Sequence, residues 1–145
     1  MKLRFHLLLA AAAAVSIGGC GRPDSPQPGA GTATTLTSND GSLQIGYRGE
    51  PDPPKSGDNK VQVTIARTDG SPLTDAEVAV TYYMPAMPSM SMPEMRDTFS
   101  LSHQGSGAYS GPVRLSMGGT WQVTVAVTQN GESLGAGRFT IVAEE

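Results

Sequence analysis

The chain has one cysteine, two histidines and few aromatic residues, and each shortage closes off a class of function. A lone cysteine, Cys20, permits no intrachain disulfide and no cysteine-based zinc site. His6 lies in the basic N-terminus, which leaves His103 as the one histidine for the rest of the chain. Gly131-Glu132-Ser133-Leu134-Gly135 matches the G-x-S-x-G pattern of a nucleophile elbow. No histidine follows Ser133, and the match falls in a hairpin rather than a strand-to-helix turn, so it carries no catalysis. Basic runs are missing beyond Arg4 and the net charge is −3, so nucleic acid finds no electrostatic footprint. Glu50, Asp52, Asp58, Asp69, Asp75 and Glu77 lack EF-hand spacing and read as solvated loop charge. No constellation supports an enzyme.

Long apolar runs are also missing, apart from one at the start. Lys2, Arg4 and His6 precede an Ala-rich apolar stretch from Leu7 to Ile17. A comfortable membrane span needs about 20 residues, so the stretch reads as a signal peptide over residues 1–19. Ile17-Gly18-Gly19-Cys20 resembles a bacterial lipobox, which makes Cys20 the lipidated N-terminus of the mature chain. The resemblance implies attachment to a lipid bilayer at the cell envelope. With Gly21 after the cysteine, it implies the outer membrane, facing the periplasm, in a Gram-negative host. Residues 20–41 are rich in Pro, Gly, Ser and Thr and are expected to be a flexible tether. Twenty such residues span about 25 Å r.m.s..

Residues 42–145 are expected to form one domain. Its 145-residue chain spends 18 residues on glycine and 11 on proline, which favours turns and short strands over helices. Apolar residues alternate in Leu43-Ile45-Tyr47, Val61-Val63-Ile65 and Val78-Val80-Tyr82-Met84. Phe99-Leu101, Tyr109-Val113-Leu115, Trp121-Val123-Val125-Val127 and Phe139-Ile141-Ala143 continue the pattern. Gly111-Pro112 interrupts the fifth run, and Asn130-Gly131 is a strong hairpin signal. The prediction is all-β: an immunoglobulin-like (fibronectin-like) β-sandwich of about seven strands. Trp121 is expected as a core anchor, and Tyr109 at a strand corner with its hydroxyl bonded to backbone.

Against these shortages stands one excess. Met84 to Met95 holds five of the seven methionines and three of the eleven prolines. Pro85, Pro88 and Pro93 deny the stretch a helix. Polyproline II is the expected conformation, with Met84, Met87 and Met90 along one edge at intervals of about 9 Å. A straight row at that interval cannot supply one ion, so a site requires the loop to curve or needs ligands from elsewhere. Met117, before the Gly118-Gly119 turn, and His103 are the candidates. Neutral, soft thioethers select Cu(I) over zinc, calcium or magnesium. The candidate metal ligands are therefore Met84, Met87, Met90, Met92, Met95, Met117 and His103, with Met84 the one most in register with the core. The other reading is an apolar, adaptable docking surface for a protein.

Gly57-Asp58-Asn59, Asp69-Gly70-Ser71-Pro72, Asp75-Ala76-Glu77-Val78 and Met84-Pro85-Ala86-Met87 resemble the YtkA-like domain, which is related to FixH-like proteins. Gly107-x-Tyr109 and Met117-Gly118-Gly119-x-Trp121-x-Val123 extend the resemblance over most of residues 42–142. It implies an extracytoplasmic immunoglobulin-like sandwich associated with metal efflux or oxidase assembly. The M-x2-M-x2-M-x-M-x2-M spacing is similar to the Cu(I) loop of CopC-type copper carriers, some of which have a histidine where this chain has Met92. The expected function is a lipid-anchored envelope protein that carries or buffers Cu(I). Its expected partners are copper-efflux or oxidase-assembly proteins.

Overall fold

The computed structural model describes residues 34–145; the stretch read as a signal peptide, Cys20 and most of the stretch read as a tether lie outside them. The described chain is all-β, with eight antiparallel strands and a single 3-10 turn at Pro88–Met90. The strands are β1 (Thr34–Thr37), β2 (Leu43–Glu50), β3 (Gly57–Arg67), β4 (Glu77–Met84), β5 (Met95–Gly105), β6 (Ala108–Leu115), β7 (Gly119–Gln129) and β8 (Glu132–Ala143). Their hydrogen-bonded order is β1-β2-β3-β6-β5-β4-β7-β8. The eighth strand, β1, lies within residues 20–41, which the sequence reading gave to the tether. Leu36 pairs with Ile45, so this short segment is held by β2 rather than by any apolar period of its own.

The count differs from about seven, and the eight strands make one continuous order instead of two separate sheets. β5 is the reason. Its first half pairs with β4 from Met95↔Met84 to Leu101↔Val78. Its second half pairs with β6 from Ser102↔Ser110 to Gly105↔Ala108. The crossing falls over Gly111, where a Cβ would stand 3.1 Å from Leu101 Cδ2 and 3.3 Å from Ser100 O. Gly111-Pro112 therefore does not break β6. Beyond the crossing, β6 keeps only β3 as a partner, and such an edge position tolerates a proline.

The outermost strands return towards each other. Asn39 N–H donates to Ala136 O at 2.9 Å, and Ala136 N–H donates to Asn39 Oδ1 at 2.9 Å. At the other end of the seam, Ser56 N–H donates to Glu144 O at 2.7 Å and Glu144 N–H to Pro54 O at 2.8 Å. The turn into β2 is fixed by Asp40, whose carboxylate accepts from the hydroxyls of Ser38 and Ser42. Those donors hold its pKa down to about 2.

Burial alternates along β3, β4 and β7, as period-two patterning requires. The core centres on Trp121, Tyr82 and Tyr109, with Ile45, Ile65, Leu73, Leu115 and the valines of β3, β4 and β7 around them. Trp121 is fully buried and its Nε1–H donates to Met117 O at 3.2 Å. The Tyr109 hydroxyl donates to Leu73 O at 2.8 Å and accepts Ala76 N–H at 3.3 Å, fastening the segment that leads into β4. The Tyr47 and Tyr82 hydroxyls bond each other at 2.9 Å inside the core. Burial, foremost, pushes both phenols above their ordinary range. Asn130 and Gly131, at φ 53° and 82°, form the hairpin turn between β7 and β8 that their sequence predicts. Ser133 lies inside that hairpin, in β8.

Candidate metal centre

The methionine stretch is not an extended polyproline segment. It is the hairpin that joins β4 to β5. Met84 and Met95 form its base as the last registered pair of the β4–β5 ladder. Met87 and Met92 form a second pair further out: Met87 N–H donates to Met92 O at 2.9 Å, and Met92 N–H returns to Met87 O at 3.2 Å. The chain reverses through the 3-10 turn, with Met90 N–H on Met87 O at 3.0 Å and Ser91 N–H on Pro88 O at 3.1 Å. Ser91 takes the left-handed conformation that completes the reversal, at φ 54°.

Hairpin pairing wins over polyproline because none of the prolines falls on a paired rung. Pro88 occupies the start of the 3-10 turn. Pro85 and Pro93 lie between the two paired rungs. The arms are Met84-Pro85-Ala86-Met87 and Met92-Pro93-Glu94-Met95, the same M-P-x-M unit facing itself. That repeat, with methionine at both ends of each arm, was the available signal for a hairpin, and the reading by intervals missed it. The rungs are three residues apart on each arm, up to roughly 10 Å of chain. Paired residues across an antiparallel ladder stand about 4.5–5.5 Å apart at Cα. The thioethers are thus grouped two by two, a geometry the straight row lacked.

The lower rung belongs to the core. Met84 is 3% exposed, and Met95 is half-buried against the core. Met84 Cε would lie 3.2 Å from a Cβ on Gly119, a residue held at φ 131°, so this glycine makes room for the Met84 methyl group. Met117 lies at the same end of the domain, in the β6–β7 connection, half-buried beside the indole it bonds through its carbonyl. Met87 also packs on the core, and Met92 is half-buried. Met90, at the tip, is 64% exposed. A cavity of about 290 Å³ opens between the hairpin and the start of β7, lined by Met84, Pro85, Met87, Gly118, Gly119, Thr120 and Gln122. The sequence reading missed the last two lining residues, which carry no metal-ligand signal.

His103 is elsewhere. It lies eight residues along β5 from Met95, about 26 Å at strand rise, exposed and tilted against the Tyr109 ring at 5.0 Å. The structure therefore does not bring it to the methionines. The charged groups at the hairpin base are engaged locally: Arg96 stands 4.7 Å over the Tyr83 ring, and the Tyr83 hydroxyl donates to Glu94 Oε2 at 3.4 Å. Among the described residues, no group of three or more His, Cys, Asp or Glu is arranged to hold a metal ion. None of the described helices is long and apolar enough to cross a membrane. The donor set at this end is neutral sulfur, which fits a soft monovalent ion and not a hard divalent one.

An all-β domain carrying a thioether hairpin at one end defines the class. The YtkA-like family profile matches residues 35–126, and the chain belongs to that family. The match begins within β1, in accord with a folded region that starts before residue 42. No curated protein and no solved structure matches the chain.

Proposed function

We propose that this YtkA-like protein is a lipid-anchored extracytoplasmic carrier or buffer of Cu(I), held by the methionine hairpin. The observation that carries the reading is the paired arrangement of Met87 with Met92, with Met90 exposed at the tip and Met84 paired with Met95 one rung nearer the sheet. Thioethers do not titrate, so a sulfur-only site holds Cu(I) across a wide pH range. The tip stands clear of the sheets, so an ion could leave to a copper-efflux or oxidase-assembly partner without disturbing the core. The lipobox at Ile17-Gly18-Gly19-Cys20 supports the anchor. Kinship with FixH-like proteins and with immunoglobulin-like sandwiches belongs to the same proposal, supported by the buried Trp121 and the Tyr109 corner. The CopC-type spacing supports the ion.

The test is a Cu(I) competition titration of the tag-free domain against a chromophoric chelator, with X-ray absorption to count sulfur ligands. Wild type should take up Cu(I) with sulfur-only ligation. The five-fold Met→Leu hairpin variant should fold and lose it, since Leu for Met costs less than about 1.5 kcal/mol per site. Equal affinity in the two proteins refutes the copper reading. The exposed Met90 favours a second reading, an apolar docking surface for an envelope protein. That surface would survive Met→Leu changes, so retained partner binding without copper uptake selects it.

A further inference from the structure

The hairpin arranges its thioethers in a steep gradient of access. Met90 is 64% exposed at the tip, Met87, Met92, Met95 and Met117 are half-buried, and Met84 is 3% exposed. Met90 is flanked by Pro88, Ser89 and Ser91, all exposed, and none of its neighbours in the turn shields it. Solvent access governs which methionine a dissolved oxidant reaches. We propose that Met90 is a modification site for peroxides, and that its sulfoxidation switches off soft-metal binding by the hairpin. The second half rests on the copper reading; the first does not.

The chemistry is a two-electron oxygen transfer. A lone pair on Met90 sulfur attacks one oxygen of hydrogen peroxide. An S–O bond forms, the O–O bond breaks, the sulfur is oxidised by two electrons, and the other oxygen leaves as water after proton transfer. The same lone pair serves as the soft donor, so ligation and oxidation compete for it. The sulfoxide offers hard oxygen and a polar head in place of a soft sulfur. The buried rung is spared, so the fold and the Met87–Met92 pairing persist when the tip is oxidised. Occupancy by a soft ion must in turn protect Met90, because the coupling between two events at one group is reciprocal.

Limiting hydrogen peroxide is added to the metal-free protein, and one-oxygen mass increases are mapped by peptide over time. If rate follows access, Met90 should react about twentyfold faster than Met84, the ratio of their exposures. Met90→Leu should remove the fast phase and leave the slow uptake unchanged. Silver(I), soft like Cu(I) but not oxidised by peroxide, should suppress the fast phase when loaded first. Protein oxidised at Met90 alone should bind Cu(I) at least about tenfold more weakly, the effect of losing ~1.4 kcal/mol of one ligand's contribution. Even uptake over all six described methionines, or a first oxygen elsewhere, overturns the modification site. A Met90 that oxidises first while Cu(I) binding stays unchanged overturns the switch and leaves the copper reading standing. No Cu(I) uptake by unoxidised protein overturns the copper reading and the switch with it, while the mapping still decides the site.

Discussion

Removing one oxygen atom from the core, through Tyr109→Phe, should be costly even though the ring stays in place. The hydroxyl donates to Leu73 O at 2.8 Å and accepts Ala76 N–H at 3.3 Å, and Tyr109 itself is fully buried. Leu73 is 1% exposed, so its carbonyl cannot turn to bulk water once the hydroxyl is gone. A buried polar group without a partner costs about 1–3 kcal/mol. The longer bond to half-buried Ala76 adds a smaller amount. Phenylalanine fills the same volume, so no cavity cost arises, and the expected loss is about 2–3 kcal/mol.

With a urea slope near 1.5 kcal/mol/M, that loss moves the unfolding midpoint down by about 1.3–2 M. The melting temperature should fall by about 10 °C or slightly more. Tyr83→Phe is the control, because its hydroxyl makes a 3.4 Å exposed bond to Glu94 and its removal should stay within about 0.5 kcal/mol. Chevron analysis would place the loss mainly in unfolding if the 73–76 segment docks late. The reasoning is refuted if Tyr109→Phe lies within 0.5 kcal/mol of wild type by the ~1 kcal/mol scale of a single bond. The segment would then be bonding to water instead of to the corner.

Burial raises the pKa of Tyr82 and of Tyr47, while an unfolded tyrosine ionises near pH 10. A raised folded pKa contributes stability that is whole below about pH 10 and is lost as pH climbs above it, so urea midpoints should fall steeply from pH 10 to 11.5. Tyr82→Phe should flatten that slope, and an unaltered slope would exclude the buried pair as its cause. Gly119→Ala puts a Cβ at φ 131° and 3.2 Å from Met84 Cε. It should cost about 1–3 kcal/mol and shift the Met84 methyl NMR signal; an unshifted methyl signal would show that the two do not touch.

Much of the fold could be read from alternation, because β2, β3, β4 and β7 each bury every second side chain and tertiary contact only reinforces that period. The Asn130-Gly131 turn and the Trp121 and Tyr109 roles were legible for the same reason: local chemistry and global position agree. β1 was not, since Thr34–Thr37 has one apolar residue and owes its strand to pairing with β2. Nor was the crossing of β5, which depends on how Leu101 passes Gly111, two positions ten residues apart. At the hairpin, sequence intervals singled out the thioethers but not how they face one another. Counting forward from Met84 gives a row; folding Met84-Pro85-Ala86-Met87 back on Met92-Pro93-Glu94-Met95 gives two pairs. His103 was grouped with them by chemistry alone, and strand length removes it.

The prolines that argued against a helix also divide the hairpin. Between the rungs, Pro85 has no N–H to give to the facing arm, so the ladder of β4 and β5 does not run through to Met87 and Met92. The lower rung is fixed by the sheet and by the Gly119 turn. The upper rung is closed by its own two bonds and the 3-10 turn, and is joined to the sheet by two short Pro-containing arms. The backbone bonds that define this unit are internal, while Met84 below it is packed in the core. Disturbance at the tip and stability of the core are then separable, and each is set by different methionines. A chain of regular β-hairpin residues in the same place would couple them, since distortion at the tip would strain every rung below it.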